Sequence, residues 1–131
     1  MSREIKFRVW GKKEASFIKN CVLKADGSIA RPIMKNDYDM SSLNPNDFDI
    51  NFYTGLKDSK GVDIYEGDII EFALSLFESV KGSIEFDYGA FYLKTDHEKY
   101  GNVLLANMNF DLVEVIGNIH QNGDLLDGYN S

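Results

Sequence analysis

The chain is poor in cysteine and has no long apolar run. Its single cysteine, Cys21, cannot form an intramolecular disulfide or a cysteine-rich zinc site, which indicates a reducing compartment, the cytoplasm. The first residues lack the apolar segment of a signal peptide, and no stretch approaches the ~18 apolar residues of a membrane-spanning helix. We therefore expect a cytoplasmic protein with no membrane partner.

Positive charge is scarce and unevenly distributed. The net charge of −7 disfavours nonspecific binding to nucleic acid or to anionic lipid. Residues 1–35 contain nine lysines or arginines and three acids, a local charge of +6, whereas residues 36–131 contain five basic and eighteen acidic residues, a local charge of −13. This asymmetry indicates either a charged partner for one half, or contact between the halves within one chain or across subunits.

No catalytic constellation is evident. His97 and His120 each lack a partner at the spacing typical of a nucleophilic or metal site, and a site formed with Cys21 or Asp96 is the alternative. Cys21 precedes two apolar residues, which favours a buried structural thiol over a reactive one. We predict a protein that is not an enzyme, with no catalytic residue, no metal site and no cofactor.

The densest group of carboxylates lies between residues 63 and 71. Oxygen ligands suit Mg²⁺ or Ca²⁺, and paired carboxylates also serve acid–base catalysis. The preceding segment, 58–63, lacks the alternating acidic or amide side chains of a calcium loop, so we expect turn and capping roles or an acidic interaction surface. The residues concerned are Asp63, Glu66, Asp68 and Glu71.

Apolar residues, by contrast, are abundant and alternate with polar ones. The hydrophobic share of 44% is enough for a packed core. Residues 5–9 and 48–52 alternate and predict two strands. In the first of them, Phe7 lies on the same side as Ile5 and Val9, which predicts a core position for Phe7.

Turn signals divide these strands. Asp26-Gly27 predicts a hairpin within residues 17–33. Residues 35–47 are polar and predict a linker or surface loop, and residues 54–61 predict a second loop. Residues 73–79 are compatible with an extended strand or with a helical turn.

From residue 64 onward, five short strand candidates follow at close spacing, which is typical of a small antiparallel barrel. Among them, residues 83–86 alternate, Tyr88-Gly89 predicts a turn, and residues 91–93 predict the return strand. We predict a mostly β fold, with α+β as the alternative. Residues 53–131 would form an SH3-like small barrel with a polar C-terminal tail over 121–131. Residues 1–52 would form an N-terminal β arm or subdomain.

Four blocks carry a specific pattern of aromatic, glycine and acidic residues. They are residues 3–10 (REIKFRVW), 53–58 (YTGLKD), 61–70 (GVDIYEGDII) and 114–119 (EVIGNI). Together they resemble the YopX family of phage and prophage proteins. The resemblance implies a phage-encoded protein in the bacterial cytoplasm that self-associates, and it implies no activity.

The glycines of these blocks suggest structural roles. Gly55, Gly61 and Gly67 lie six residues apart, which matches no phosphate-binding loop, and we expect them at turn positions with positive φ or close backbone approach. Tyr65 would anchor its loop against the barrel and donate its hydroxyl to a backbone carbonyl. Gly117, inside an apolar strand, predicts a bulge or a close backbone contact.

A basic strand with aromatic neighbours is the candidate interaction surface. It consists of Arg3, Lys6, Arg8, Lys12 and Lys13. We expect a non-enzymatic accessory protein that acts through protein–protein contacts, with this strand against the acidic half of a second copy. Two alternatives stay open: a nucleic-acid-binding module that uses the same strand, and an acidic inhibitor of a host protein.

Overall fold

The computed structural model describes residues 4–32, 40–95 and 101–127. Within these ranges strands dominate, and the one α-helix is a single turn, Asp124–Asp127. The prediction of a mostly β fold is therefore confirmed. The described residues form two compact units: Phe7–Asn51, which we call the inserted unit, and residues 4–6 with 52–127, which we call the main unit. The predicted pair of domains divided after residue 52 stays a prediction.

A tight hairpin opens the inserted unit. β1 (Phe7–Gly11) pairs antiparallel with β2 (Ser16–Ile18), and the ring of Trp10 packs edge-on against that of Phe17, with 5.0 Å between centroids. The strand predicted over residues 5–9 begins only at Phe7. Ile5 lies before it and is 74% exposed, so the prediction of a shared core face holds for Val9, which is buried, but is wrong for Ile5. The core position predicted for Phe7 is met only in part, because Phe7 is half-buried.

A separate antiparallel sheet of the inserted unit has the order β3-β4-β5. It contains β3 (Val22–Leu23), β4 (Ile29–Pro32) and β5 (Met40–Ser42). The predicted hairpin at Asp26-Gly27 is confirmed, and Gly27 has the positive φ of 90° that such a turn requires. The loop predicted over residues 35–47 is wrong for β5, which gains backbone partners in β4; residues 33–39 lie outside the described ranges.

β6 (Phe48–Lys57) is the longest strand and runs from one unit into the other. It confirms the strand predicted over residues 48–52 and continues through the first part of the predicted 54–61 loop. Its buried residues are Asn51 and Tyr53, whereas the alternating apolar residues are half-buried.

The main unit contains a five-stranded antiparallel sheet of order β11-β10-β9-β8-β12, which curls into a half-barrel. A further strand, β7, pairs with the second half of β6. This arrangement agrees with the predicted small barrel. The strands are β7 (Asp63–Tyr65), β8 (Asp68–Ala73), β9 (Ser79–Asp87), β10 (Ala90–Lys94), β11 (Asn102–Leu104) and β12 (Val113–Asn118).

The core of the main unit is a cluster of aliphatic side chains that are almost completely buried. Because strand side chains alternate between faces, one face of each of these strands contributes to it, and Leu105 joins it from a short 3-10 helix, Leu105–Asn107. Burying each such side chain contributes about 1.5–3 kcal/mol. The cluster consists of Ile64, Ile70, Ile84, Leu93, Leu105 and Val113.

β9 takes part in two hairpins that point to opposite ends of the sheet. The β9–β10 hairpin turns at Tyr88-Gly89, as predicted, and both residues have positive φ, the conformation of a type I′ turn. The β8–β9 hairpin turns through a loop at residues 74–78, where the sequence allowed a strand or a helical turn. Between the two turns lies Gly82, where an added Cβ would lie 2.7 Å from Leu93 Cδ1 and closer still to the carbonyl oxygen of Lys94.

Candidate interaction surfaces

Lys6 of the predicted basic surface is bound to Asp63, the first residue of the predicted acidic one. Within the main unit, Lys6 Nζ lies 2.9 Å from Asp63 Oδ2 and 3.2 Å from Glu4 Oε1. Lys57 Nζ lies 2.9 Å from the other carboxylate oxygen of Asp63. The ammonium of Lys6 also stands 5.2 Å from the ring centroid of Tyr53. Lys6 and Asp63 therefore form an ion pair within a single chain.

The electrostatics of this cluster follow from its geometry. The hydrogen bonds from Lys6 and then from Lys57 lower the pKa of Asp63 to about 2. The same contacts, with Asp63 first and Glu4 second, raise the pKa of Lys6. Both side chains stay charged at neutral pH, which suits an ion pair and not a proton-transfer site.

We expect Asp63→Asn to lower the free energy of unfolding by no more than about 1 kcal/mol, because partly exposed ion pairs are weak. The folded pKa lies below the ordinary value. The contribution of Asp63 is therefore present above pH ~4 and is lost as the pH falls towards 2. Urea unfolding of wild type and variant at neutral and at acidic pH measures the difference, with Asp111→Asn, an exposed carboxylate, as the control. A difference that does not change with pH would contradict this account.

The other described residues of the predicted basic surface have partners inside the inserted unit. Arg8 Nε donates to Asn51 Oδ1 at 3.3 Å, and its guanidinium stands 4.7 Å from the ring centroid of Phe17. Lys12 Nζ donates to the carbonyl of Asn46 at 3.1 Å and lies 3.8 Å from Asp49. Lys13 Nζ lies 3.6 Å from an oxygen of Asp47. Arg3 lies outside the described residues.

These contacts reduce the positive charge that the basic residues present to the phosphates of a nucleic acid. The three ion-paired lysines, Lys6, Lys12 and Lys13, each have a carboxylate within 4 Å in their own unit, which lowers the local positive potential. The aromatic partners Phe17 and Tyr53 face cationic side chains of the same chain. The geometry therefore disfavours the nucleic-acid interpretation.

The other carboxylates of the predicted acidic surface have different environments. Asp68 is buried and accepts a 2.7 Å hydrogen bond from the backbone N–H of Tyr65. Glu66 accepts from the N–H of Phe52 at 2.9 Å. Glu71 stands opposite Glu114 on β12 and Lys81 on β9. In the part of the chain that the structure describes, no three such side chains converge on a metal position.

Asp58 is the residue whose role the sequence did not reveal. It is buried, with 6% of its surface exposed, and its carboxylate accepts three backbone hydrogen bonds of 2.9 Å. Two come from its own loop, at Lys60 and Val62, and the third comes from Val115 on β12. Burial works to raise the pKa of Asp58, but the three bonds, led by that of Val115, outweigh it and lower the pKa.

The glycines of the family blocks lie at turns and at strand irregularities: Gly61 and Gly67 lie at turns, whereas Gly55 lies inside β6, where its pairing with β7 shifts register. Gly55, Gly61 and Gly67 have φ of 86°, 81° and 81°, the left-handed region that other residues avoid. At Gly117 the register of β12 against β8 shifts, which is the predicted bulge. A Cβ there would lie 2.7 Å from Asn122 Oδ1. The ring of Tyr65 packs against that of Tyr53, with 5.5 Å between centroids.

The predicted alternative site of histidines and cysteine is only partly described. His97 and Asp96 lie outside the described ranges. Cys21 is half-buried in the inserted unit and its thiol lies 3.8 Å from the carbonyl of Ile18; burial raises the pKa of this thiol, which disfavours the reactive thiolate. His120 lies in the turn after β12, where its N–H donates to Asn118.

The main unit also carries two adjacent large apolar side chains that are almost fully exposed. At the tip of the β8–β9 hairpin, Leu76 is 94% exposed and Phe77 is 98% exposed. We call this pair the apolar knob. The backbone N–H groups of Leu74 and Ser75 both donate to the carbonyl of Glu78, so hydrogen bonds define the loop that carries the knob. The sequence predicted an extended strand or a helical turn over residues 73–79 (ALSLFES), whereas β8 ends at Ala73 and the following residues form the hairpin loop.

An apolar cleft of about 150 Å³ opens beside the same hairpin. Two polar residues, Thr95 and Asn107, contribute to its wall, and no charged side chain does. A second cleft, of about 300 Å³, contains Lys81 and Lys94, but Glu85 lies 3.4 Å from Lys94 and offsets its charge. The apolar residues that line the first cleft are Phe72, Leu74, Val80, Leu93, Val103 and Met108.

These observations define a mostly β protein with an exposed apolar pair and an apolar cleft on its main unit. No helix in the described ranges is long and apolar enough to cross a membrane. The family model described as YopX protein matches residues 6–127. The chain therefore belongs to the YopX family, which confirms the resemblance of the four blocks.

Two crystal structures are similar to this chain. The structure of protein EF1440 from Enterococcus faecalis has a TM-score of 0.63 at 26% identity and covers 95% of this chain and 99% of its own. That of protein YopX from Bacillus subtilis has a TM-score of 0.63 at 19% identity, covers 92% of this chain and 96% of its own, and shows the fold alone. A comparison with curated proteins gives no match.

Proposed function

We propose that this protein is a non-enzymatic phage or prophage accessory protein of the bacterial cytoplasm that works through protein–protein contacts and self-associates. The observation that carries the proposal is the apolar knob. Two large apolar side chains that are 94% and 98% exposed leave water-contacting surface that a protein partner would cover. Membership of the YopX family, with its implied phage origin, supports the same assignment.

An apolar contact fits the geometry better than the charge contact expected from the sequence. Lys6, Arg8, Lys12 and Lys13, the described residues of the basic surface, already have acidic or amide partners in their own units, so they offer little unsatisfied charge to a second copy. Two copies that each carry a net charge of −7 also repel one another. A contact between them therefore depends on apolar burial, which salt does not weaken.

Sedimentation velocity tests this proposal across a wide range of protein concentrations and at low and high salt. We expect a species of at least twice the chain mass that grows with concentration and persists or strengthens in high salt. Association that disappears in high salt would support the basic strand against the acidic half instead. A monomer at every concentration and salt would contradict self-association altogether.

A further inference from the structure

We infer that Phe77 of one copy occupies the apolar cleft of a second copy, and that the second copy returns the same contact. The inference rests on the self-association proposed above and names the surface that produces it. The occupant is a second copy of this chain, because knob and cleft match in size, in polarity and in position on one hairpin.

The size of the cleft suits one aromatic ring. Its volume is about 150 Å³, and a cavity of about this size lined by leucine, isoleucine and phenylalanine binds benzene. Six of its eight lining residues are apolar and none is charged. A charged ligand would lose its hydration without compensation there, so the occupant is an apolar group.

The knob is held out from its own core. Phe77 is 98% exposed, and its backbone N–H donates to Ser75 Oγ at 3.2 Å within a loop that two further hydrogen bonds close onto Glu78. The phenyl ring is therefore presented by a defined turn, at a point where its own chain gives it almost no apolar contact.

Knob and cleft share the β8–β9 hairpin. Phe72 and Leu74 line the cleft, and the exposed ring of Phe77 follows a few residues later. When a surface and its complement lie side by side on one chain, a two-fold axis between them satisfies both contacts at once and closes the assembly as a dimer. Two aromatic rings, each burying roughly 150–250 Å², and the cleft walls that they cover approach the ~1,000 Å² of a specific interface.

Disulfide cross-linking between two differently tagged copies tests the contact directly. Both copies carry Cys21→Ser; one also carries Phe77→Cys and the other Met108→Cys. We expect mild oxidation of the mixture to link the two copies. The control replaces Phe77→Cys with Tyr88→Cys, because Tyr88 is also an aromatic hairpin-tip residue, 94% exposed, at the opposite end of β9. Cross-linking no better than this control overturns the inference.

Sedimentation of single variants separates this inference from the proposed function. We expect Phe77→Ala to raise the dissociation constant of the dimer by at least about tenfold, and Tyr88→Ala to leave it unchanged. If wild type associates and Phe77→Ala associates equally well, self-association stands and the knob-and-cleft contact fails. If wild type stays monomeric, both fail. A chain with Phe77→Cys and Met108→Cys together that oxidises to a linked monomer would place the ring in its own cleft and also overturn the inference.

Discussion

Asp58→Ala is expected to lower the free energy of unfolding by about 3–5 kcal/mol. Removing the carboxylate leaves the N–H groups of Lys60, Val62 and Val115 without their acceptor. Each buried group left unsatisfied costs about 1–3 kcal/mol, and relaxation of the loop towards water recovers part of the sum. Urea unfolding followed by circular dichroism measures the loss.

The reason for so large an effect is the span of the interaction. The two Oδ1 bonds close the loop after β6, and the Oδ2 bond ties that loop to β12, 57 positions further along the chain. Asp58→Asn keeps the shape and one acceptor oxygen but presents an amide to one donor, so about half of the loss is expected. Asp111→Ala, at an exposed carboxylate, should change stability by less than about 0.5 kcal/mol.

The pH dependence gives an independent check on Asp58. Its pKa is lower in the folded than in the unfolded chain, so its contribution is present above the unfolded value of about 4 and is lost as the pH falls through the folded one. The difference between wild type and Asp58→Ala should therefore shrink below pH ~4. A loss of less than about 1 kcal/mol at neutral pH would show that water replaces the carboxylate.

The second large effect is expected at Gly82, where replacement by alanine should cost about 3 kcal/mol and lower the melting temperature by roughly 10 °C. The new methyl group would meet the carbonyl oxygen of Lys94 and lie 2.7 Å from Leu93 Cδ1. The carbonyl belongs to the backbone of β10, which pairs with β9, so relief requires the two strands to separate.

Whether Gly82→Ala destabilises or stabilises the protein distinguishes a steric clash in the folded sheet from the effect of alanine on the unfolded chain. In an open strand position, replacing glycine by alanine reduces the entropy of the unfolded chain and stabilises a protein slightly. Ser83→Ala, at the next residue of β9, is the control and should change stability by less than about 0.5 kcal/mol. Thermal unfolding of both variants decides the matter, and a Gly82→Ala protein as stable as wild type would show that the sheet accommodates the methyl group.

The sequence predicted the features that depend on near neighbours. Alternating apolar residues predicted β9, and the pairs Asp26-Gly27 and Tyr88-Gly89 predicted the turns of the β3–β4 and β9–β10 hairpins, because strand periodicity and positive φ are local properties. The family blocks predicted Gly55, Gly61 and Gly67 as special backbone positions for the same reason.

What the sequence did not reveal depends on residues far apart in the chain. Asp58 and Val115 lie 57 positions apart, and so do Lys6 and Asp63, which were assigned to opposite interaction surfaces although they bind one another. No periodicity encodes such pairs. The apolar knob was missed for a related reason: whether Phe77 is buried or exposed depends on the length of the hairpin loop, which composition does not fix.

The hydrogen bond from Tyr53 N–H to the carbonyl of Lys6, 2.9 Å long, lies where the main unit is interrupted. The chain leaves the main unit after residue 6 and re-enters it at residue 52. This hydrogen bond therefore joins residues at the points where the chain leaves and re-enters the unit. The 45 residues Phe7–Asn51 thus form an insertion between two segments of the main unit that are hydrogen-bonded to each other. Insertions and deletions within this segment are therefore compatible with an unchanged strand order in the half-barrel.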